Sequence, residues 1–217
     1  ITGGSGMLAV NWALTIREEH KVTLLLHHRK ITLQGVKTDV ASLDSLDACL
    51  STIEKHQPDV VIHAAGLTDV EACESNIELA QKTNADLARN IAISCDRQGI
   101  KLVHISTDHL FSGDESFVTE ENDTLPINNY SKTKLEGEQQ VLKNCKDALV
   151  IRTNFFGWGT RYRQSFSDFI INKLRIKHDN LNLSLENYKH TPINIILKTL
   201  GFTYLNPHVY SDTVFFL

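Results

Sequence analysis

Tyr130-Ser-Lys-Thr-Lys134 sets a phenol and an ammonium four residues apart. That is about one helical turn, so both project from the same face of a helix. Upstream, His104-Ile-Ser106-Thr107-Asp108 ends an apolar stretch with two adjacent hydroxyls. Phenol, amine and hydroxyl brought to one point can move a proton at neutral pH while a hydride is transferred. A Tyr-x-x-x-Lys spacing alone recurs by chance on ordinary helices, with both side chains simply solvated. It gains meaning from the elements that would position it.

The chain opens Ile1-Thr2-Gly3-Gly4-Ser5-Gly6-Met7-Leu8-Ala9-Val10. Glycines there permit a tight turn from strand to helix and let backbone approach a ligand closely. The helix start that follows offers unpaired N–H groups and a positive dipole end, a ready pyrophosphate site. Gly3 and Gly6 are followed by Ala9 where a third glycine is often found, and alanine still allows close helix–strand packing. Only Ile1 and Thr2 precede the turn, leaving almost no room for a first strand, so a few residues of that strand are expected to lie outside this sequence.

Apolar periodicity supplies the rest of the frame. Helical spacing runs through Met7, Leu8, Trp12 and Ile16, and Val22 to Leu26 is a continuous apolar run suited to a strand buried on both faces. Ser42 is the expected cap of a helix carrying Leu43, Leu46, Leu50 and Ile53. Val60 to Ile62 reads as a further buried strand, closed by His63-Ala64-Ala65-Gly66. A long helical region through Ala80, Leu87, Ile91 and Ile93 is expected to end at Gly99. Strands at Ile100 to Ile105 and Ala148 to Ile151 flank the Tyr130 helix, and Phe111 to Asn129 reads as a long loop of functional character. Strands alternating with helices predict an α/β fold with a doubly wound, right-handed parallel sheet.

At 217 residues the chain can hold one sizeable core or one domain with a smaller lobe. Its 22 basic and 26 acidic residues leave a net charge of -4, no footprint for nucleic acid or an anionic membrane. Cys49, Cys73, Cys95 and Cys145 are scattered without a C-x-x-C pair and read as reduced, buried thiols. The histidines show no metal spacing, so no metal ligand is assigned. With neither a bilayer-length apolar run nor a signal-peptide pattern, a cytoplasmic protein is expected.

These motifs together resemble the extended short-chain dehydrogenase/reductase family, most closely its dTDP-4-dehydrorhamnose reductase group. The resemblance is carried by Thr2-Gly-Gly-Ser-Gly-Met-Leu8, Asp59-Val-Val-Ile-His-Ala-Ala-Gly66, His104-Ile-Ser-Thr-Asp-His-Leu-Phe111, Tyr130-Ser-Lys-Thr-Lys-Leu-Glu-Gly-Glu138 and Ile151-Arg-Thr-Asn-Phe-Phe-Gly157. It covers residues 1 to about 175 in the expected order. It implies a Rossmann NAD(P)-binding domain over 1–155 and a partial substrate lobe over 156–217, interleaved with the first. The implied activity is NAD(P)H-dependent reduction of a nucleotide-linked 4-keto-6-deoxy sugar.

By the same likeness Tyr130 is the general acid, Lys134 lowers its pKa and holds the nicotinamide ribose, and Thr107 binds the reacting carbonyl. Ser106 is the alternative holder of the Thr107 role and lines the cofactor, while Asp108 orders its loop. Gly3, Gly6 and the amides of Met7 and Leu8 face the pyrophosphate. The turn His27-His28-Arg29-Lys30 lacks the acid that would grip a ribose 2′-hydroxyl, and His28, Arg29 and Lys30 suit a 2′-phosphate, so NADPH is favoured with NADH possible. Asp39 and Val40 lie along the adenine, Ala64, Ala65 and Gly66 beneath the ribose and phosphate, and Thr68 towards the nicotinamide. Asn154 and Phe155 border nicotinamide and substrate, Arg152 is structural, and Arg161 and Arg163 meet the sugar-nucleotide diphosphate. The pattern fades over 176–217: Glu186 to Ile193 resembles a segment near the substrate lobe, and Lys198 to Leu217 gives no recognisable order of elements. Two other readings accompany the reductase, a non-catalytic NADP-binding regulatory subunit and a nucleotide-sugar epimerase or dehydratase. A homodimer is possible on exposed apolar helix faces.

Overall fold

The computed structural model describes residues 1–113 and 118–154, together with Thr160, Tyr162, Ser165 and Asp168. The chain divides into two compact units, Ile1–Ser112 with Asn122–Thr153, and Gly113–Glu121 with Asn154–Leu217. In the second, the amide and hydroxyl of Ser165 donate to Asp168 Oδ2 at 2.8 and 3.0 Å, and the Asp168 amide returns a bond to Ser165 Oγ at 3.1 Å. That reciprocal pattern opens helices.

All named elements belong to the first unit: α1 (Met7–Ile16), β1 (Thr23–Leu26), β2 (Lys37–Val40), α2 (Leu46–His56), β3 (Val60–His63), α3 (Val70–Ser75), α4 (Ile77–Gln81), a π-helical turn (Lys82–Asp86), α5 (Leu87–Gln98), β4 (Lys101–Ile105), α6 (Asn129–Asn144) and β5 (Ala148–Ile151). β1 pairs with β2, and β3–β4–β5 form a second set, every pairing parallel. Ile1 and Thr2 join the two sets: Ile1 O accepts the Leu25 amide at 2.8 Å and the Thr2 amide donates to Ile62 O at 2.9 Å. The order is therefore β2–β1–(Ile1–Thr2)–β3–β4–β5, a doubly wound α/β sheet that reverses direction beside Ile1–Thr2. Ligands of such sheets bind at that reversal, outside the carboxyl ends of the strands.

Packing follows from the apolar runs. Ala9 and Ala13 of α1 are fully buried against Val22, Leu24 and Leu26, which is why a side chain no larger than methyl is needed at position 9. On the sheet's other part, Val61 and Leu102 pack with Cys49 and Ile53 of α2, Ile91 and Cys95 of α5, and Val141 of α6. All four cysteines are free and buried.

Two elements differ from the sequence expectation, and β2 is a strand it did not mark. Helix α2 is capped by Ser45, whose hydroxyl accepts the Ala48 amide at 3.2 Å, not by Ser42, whose hydroxyl instead donates to Asp44 at 2.5 Å. The long helix is broken: Asn76 ends α3 and caps α4, and five residues then widen into π geometry before α5. Asp39 and Val40 lie inside β2, opposite Leu25 and Leu26. Gly99 does close α5, at φ 66°, with its amide on Asp96 O.

Candidate active site

The glycine turn lies directly against the end of β3. Gly3 has φ 67°, and a Cβ there would stand 2.8 Å from both Ala64 O and Ala65 N. No residue but glycine fits both the torsion and the space. Gly6 caps α1 without a side-chain bond, and no acid occupies the helix's first turn. The first-turn amides, Met7 and Leu8 among them, have no intrahelical acceptor, so an anion placed here meets N–H groups and a positive dipole end. Thr2 ties the turn down: its hydroxyl accepts the Ala64 and Ala65 amides, each at 3.2 Å, and lies 2.8 Å from His63 Nδ1. With both lone pairs taken, the hydroxyl proton goes to Nδ1, and His63 carries its own proton on Nε2.

The basic turn His27 to Lys30 follows β1 and is solvent-exposed, with the His27 and His28 rings 3.6 Å apart. Asp39 is committed within the fold: its carboxylate receives Lys55 Nζ at 2.6 Å and His56 Nε2 at 2.9 Å. The Lys55 hydrogen bond holds this carboxyl below its ordinary range. Val40 beside it is half exposed.

Tyr130 and Lys134 reach the same edge of the sheet from the start of α6. Asn128 and Ser131 form a reciprocal capping box, with Ser131 N–H on Asn128 Oδ1 at 2.8 Å. Glu74, at the end of α3, takes the Asn129 amide at 2.6 Å and its Nδ2 at 2.7 Å, so both carboxylate oxygens grip the residue preceding Tyr130. The phenol is buried beside Cys73 and Ala80, with the His109 ring edge-on at 5.8 Å. Burial pushes the phenol above its usual pKa, and a hydrogen bond from the Thr107 hydroxyl pulls the other way. Thr107 is itself placed by the His109 amide, which donates to its oxygen at 3.2 Å.

Lys134 is 5 % exposed, and its ammonium donates to Ile105 O at 2.7 Å. Burial brings its pKa down from 10.5 to about 8, with the Glu138 carboxylate opposing. Burial thus makes the phenol a weaker acid and the ammonium a stronger one. Ser106 continues the ladder, its amide on Ile151 O at 2.8 Å, and its buried hydroxyl has no partner.

Gly3, Gly6, Met7 and Leu8, the loop Ala64 to Gly66, Ser106, Thr107, Tyr130 and Lys134 are therefore gathered at the carboxyl ends of adjacent strands. His28, Arg29 and Lys30 follow β1, next to Ile1–Thr2. Thr68 is exposed beyond the β3 loop. Asn154 belongs to the second unit. Phe155, Arg161 and Arg163 lie outside the described residues. A glycine cradle that a Cβ would fill, an uncapped helix start and a buried Ser106 hydroxyl without a partner fit a dinucleotide. Among the described residues no three His, Cys, Asp or Glu side chains converge as metal ligands, and no helix is long and apolar enough to cross a membrane.

Several supporting residues escape a reading of the sequence. Asn84, buried in the π turn, accepts the Leu67 amide at 2.8 Å and donates to Leu67 O and Thr133 Oγ1, each at 3.1 Å, fastening the β3 loop to α6. Glu138 is buried and takes a two-pronged ion pair from Arg152, whose NH2 group stands 2.8 Å from Oε2.

The sequence profile described as RmlD substrate binding domain matches residues 1–190. The chain belongs to this family. Within and around it, the chain is 33% identical over 157 residues to the "Probable low-salt glycan biosynthesis reductase Agl14" of Haloferax volcanii, covering 71% of this chain and 52% of that protein. It is 37% identical over 137 residues to the dTDP-4-dehydrorhamnose reductase of Salmonella typhimurium, covering 63% and 44%. Among solved structures, the dTDP-4-dehydrorhamnose reductase of Bacillus anthracis in complex with NADP aligns with TM-score 0.62 and 27% identity, over 79% of this chain and 57% of that one. The chain spans about half the length of the curated relatives it matches. Family membership and the parallel order of strands agree on a Rossmann-like NAD(P)-binding fold.

Proposed function

We propose that this chain is the cofactor-binding and catalytic part of an NADPH-dependent reductase acting on a nucleotide-linked 4-keto-6-deoxy sugar, with NADH as the weaker alternative cofactor. Residues 1–155 bind the dinucleotide and 156–217 contribute to the substrate lobe. The observation that carries this reading is the burial of Tyr130 and Lys134 one turn apart on α6, with Ser106 and Thr107 just past β4 and the glycine turn against the end of β3. The family and its NADP-bound relative support the cofactor.

A bound reduced nicotinamide supplies the hydride. The chain's own residues do the remainder. Gly3, Gly6 and the Met7 and Leu8 amides hold the pyrophosphate, and His28, Arg29 and Lys30 answer a 2′-phosphate. Val40, beside Asp39, lies along the adenine, and Ala64 to Gly66 leave room for the ribose and phosphate. Ser106 and Thr68 line the nicotinamide end. Thr107 donates to the substrate carbonyl and fixes it, and Tyr130 delivers its proton to the oxygen as the carbon is reduced. Lys134 stands behind Tyr130 as the local positive charge and a donor for ribose hydroxyls. Arg161 and Arg163 pair with the diphosphate. The same reading locates the protein in the cytoplasm and accommodates a homodimer on exposed Ile77, Leu79 and Leu142.

Tyr130→Phe tests it. NADPH affinity stays within about twofold while turnover of a nucleotide-linked 4-keto sugar drops at least about a hundredfold, the scale of a lost general acid. Retained turnover removes Tyr130 from the chemistry. Tight NADPH binding with no turnover across a panel of such sugars returns the chain to the regulatory-subunit reading. Purification with tightly held oxidised cofactor favours an epimerase or dehydratase.

A further inference from the structure

Lys134 is the most deeply buried cation of the candidate site, and the groups around it are unequal. His63 at the end of β3 and His104 in β4 face it, their rings stacked at 5.3 Å. Burial keeps both imidazoles neutral, and the ammonium pushes them the same way. Ile105 offers a carbonyl dipole at 2.7 Å. Tyr130, on the lysine's own helix, is a neutral phenol held by burial, and Asp108 from the loop after β4 acts on that phenol. Glu138 is the remaining titratable neighbour, four residues along α6 and so on the same face as Lys134. It is 2 % exposed, and among the described residues it is the charge that opposes the burial of the lysine.

Glu138 is not free to give its whole charge to Lys134. Arg152, just past β5, places Nε 3.1 Å from both carboxylate oxygens and NH2 2.8 Å from Oε2. The guanidinium in turn lies over the Phe111 ring, 5.5 Å from its centroid. We propose that Glu138 is a positioning residue for the proton chemistry, acting through Lys134 as its buried counter-charge, with Arg152 setting how much of that charge the lysine receives. A pair that served only to fasten α6 to β5 would need neither complete burial of the carboxylate nor its placement one turn from the ammonium. The inference rests on the reductase reading for its purpose, since a cationic Lys134 matters most where a phenol must give up a proton. Its electrostatics can be tested without substrate.

The experiment is a pH titration of the Lys134 side-chain resonances in lysine-labelled protein, assigned by their loss in Lys134→Met, without cofactor. The unsubstituted protein gives a midpoint of about 8. Glu138→Gln lowers the midpoint by at least about half a pH unit, because an anion close to a cation favours its charged form. Arg152→Gln moves it upward, since the carboxylate then acts on the lysine uncompensated, and Arg152→Lys leaves it in place. Opposite displacements from the two ends of one ion pair are the signature. Equal midpoints in all four proteins, or displacements of the same sign, overturn the proposal and leave a purely structural pair. Should a single substitution fail to fold, the Glu138→Gln/Arg152→Gln double variant removes both charges and must still titrate below the unsubstituted protein. An unchanged midpoint there is equally fatal. If midpoints move as expected while Tyr130→Phe retains turnover, the electrostatic inference stands and the catalytic reading falls. The reverse pattern separates them the other way.

Discussion

Gly137 lies on the face of α6 that meets the π-helical turn, and a Cβ added there would run into the Asn84 carbonyl oxygen, with the Asn84 carbonyl carbon at 3.4 Å and Ala88 Cβ at 3.6 Å. The obstacle is backbone, so it cannot swing aside as a side-chain tip would. Gly137→Ala should gain about 1 kcal/mol from helix propensity. Against that stands overpacking at the upper end of its usual range, about 3 kcal/mol, because the contact is closer than real Cβ atoms tolerate. The net loss is about 2 kcal/mol, which for a chain of this size lowers the thermal midpoint by roughly 4–8 °C. Relief of the clash must push α6 away from Asn84, whose side chain also bonds Thr133, so Tyr130 and Lys134 shift with it. Turnover should therefore drop more than NADPH affinity. Calorimetry and a cofactor titration on the same preparation read both effects. The comparison is Gly99→Ala, where φ is 66° and nothing lies within 4 Å, so only backbone strain of about 1 kcal/mol is incurred and cofactor affinity is untouched. A raised or unchanged midpoint in Gly137→Ala would refute the close-approach argument.

Two further outcomes follow. Arg29→Ala with Lys30→Ala should weaken NADPH at least tenfold more than NADH in fluorescence titrations, the scale of losing charge-assisted bonds to a phosphate; equal losses defeat the 2′-phosphate reading. His63 is neutral in the fold, its pKa lowered by burial from 6.5 to about 3, and His104 is lowered in the same direction. The unfolded chain binds those protons first, so their contribution to stability is complete above pH 6.5 and is lost as pH drops towards about 3. Denaturant unfolding at stepped pH should show this slope, and His63→Gln with His104→Gln should flatten it.

Much of the frame was legible because it is local. Apolar runs at Val22, Val60, Ile100 and Ala148, alternating with helical spacing, read as parallel strands, and Gly99 is a residue for which the left-handed cap costs nothing. The glycine turn was readable for the same reason: torsion and close approach at Gly3 restrict its identity. What stayed hidden depends on partners distant in sequence. Nothing around Glu74 announces that it will clasp Asn129, 55 positions later. Ser45 rather than Ser42 caps α2, which leaves Leu43 outside the helix although it packs against the same core as Cys49. The broken helix before α5 arises from Asn84 serving the β3 loop, a tertiary demand that periodicity cannot register. The sequence placed Lys134 beside Tyr130, but only the fold shows its ammonium spent on Ile105 O.

The Thr2 hydroxyl confines the composition of the interior more tightly than burial alone would. Of the twenty side chains only serine could imitate it, since valine or cysteine in the same volume would strand two amides and an imidazole nitrogen. Threonine's branched Cβ further suits the extended backbone there. An atom that touches no reacting group therefore dictates which edge of a neighbouring ring bears hydrogen, and any redesign of this end of the sheet must begin by preserving it.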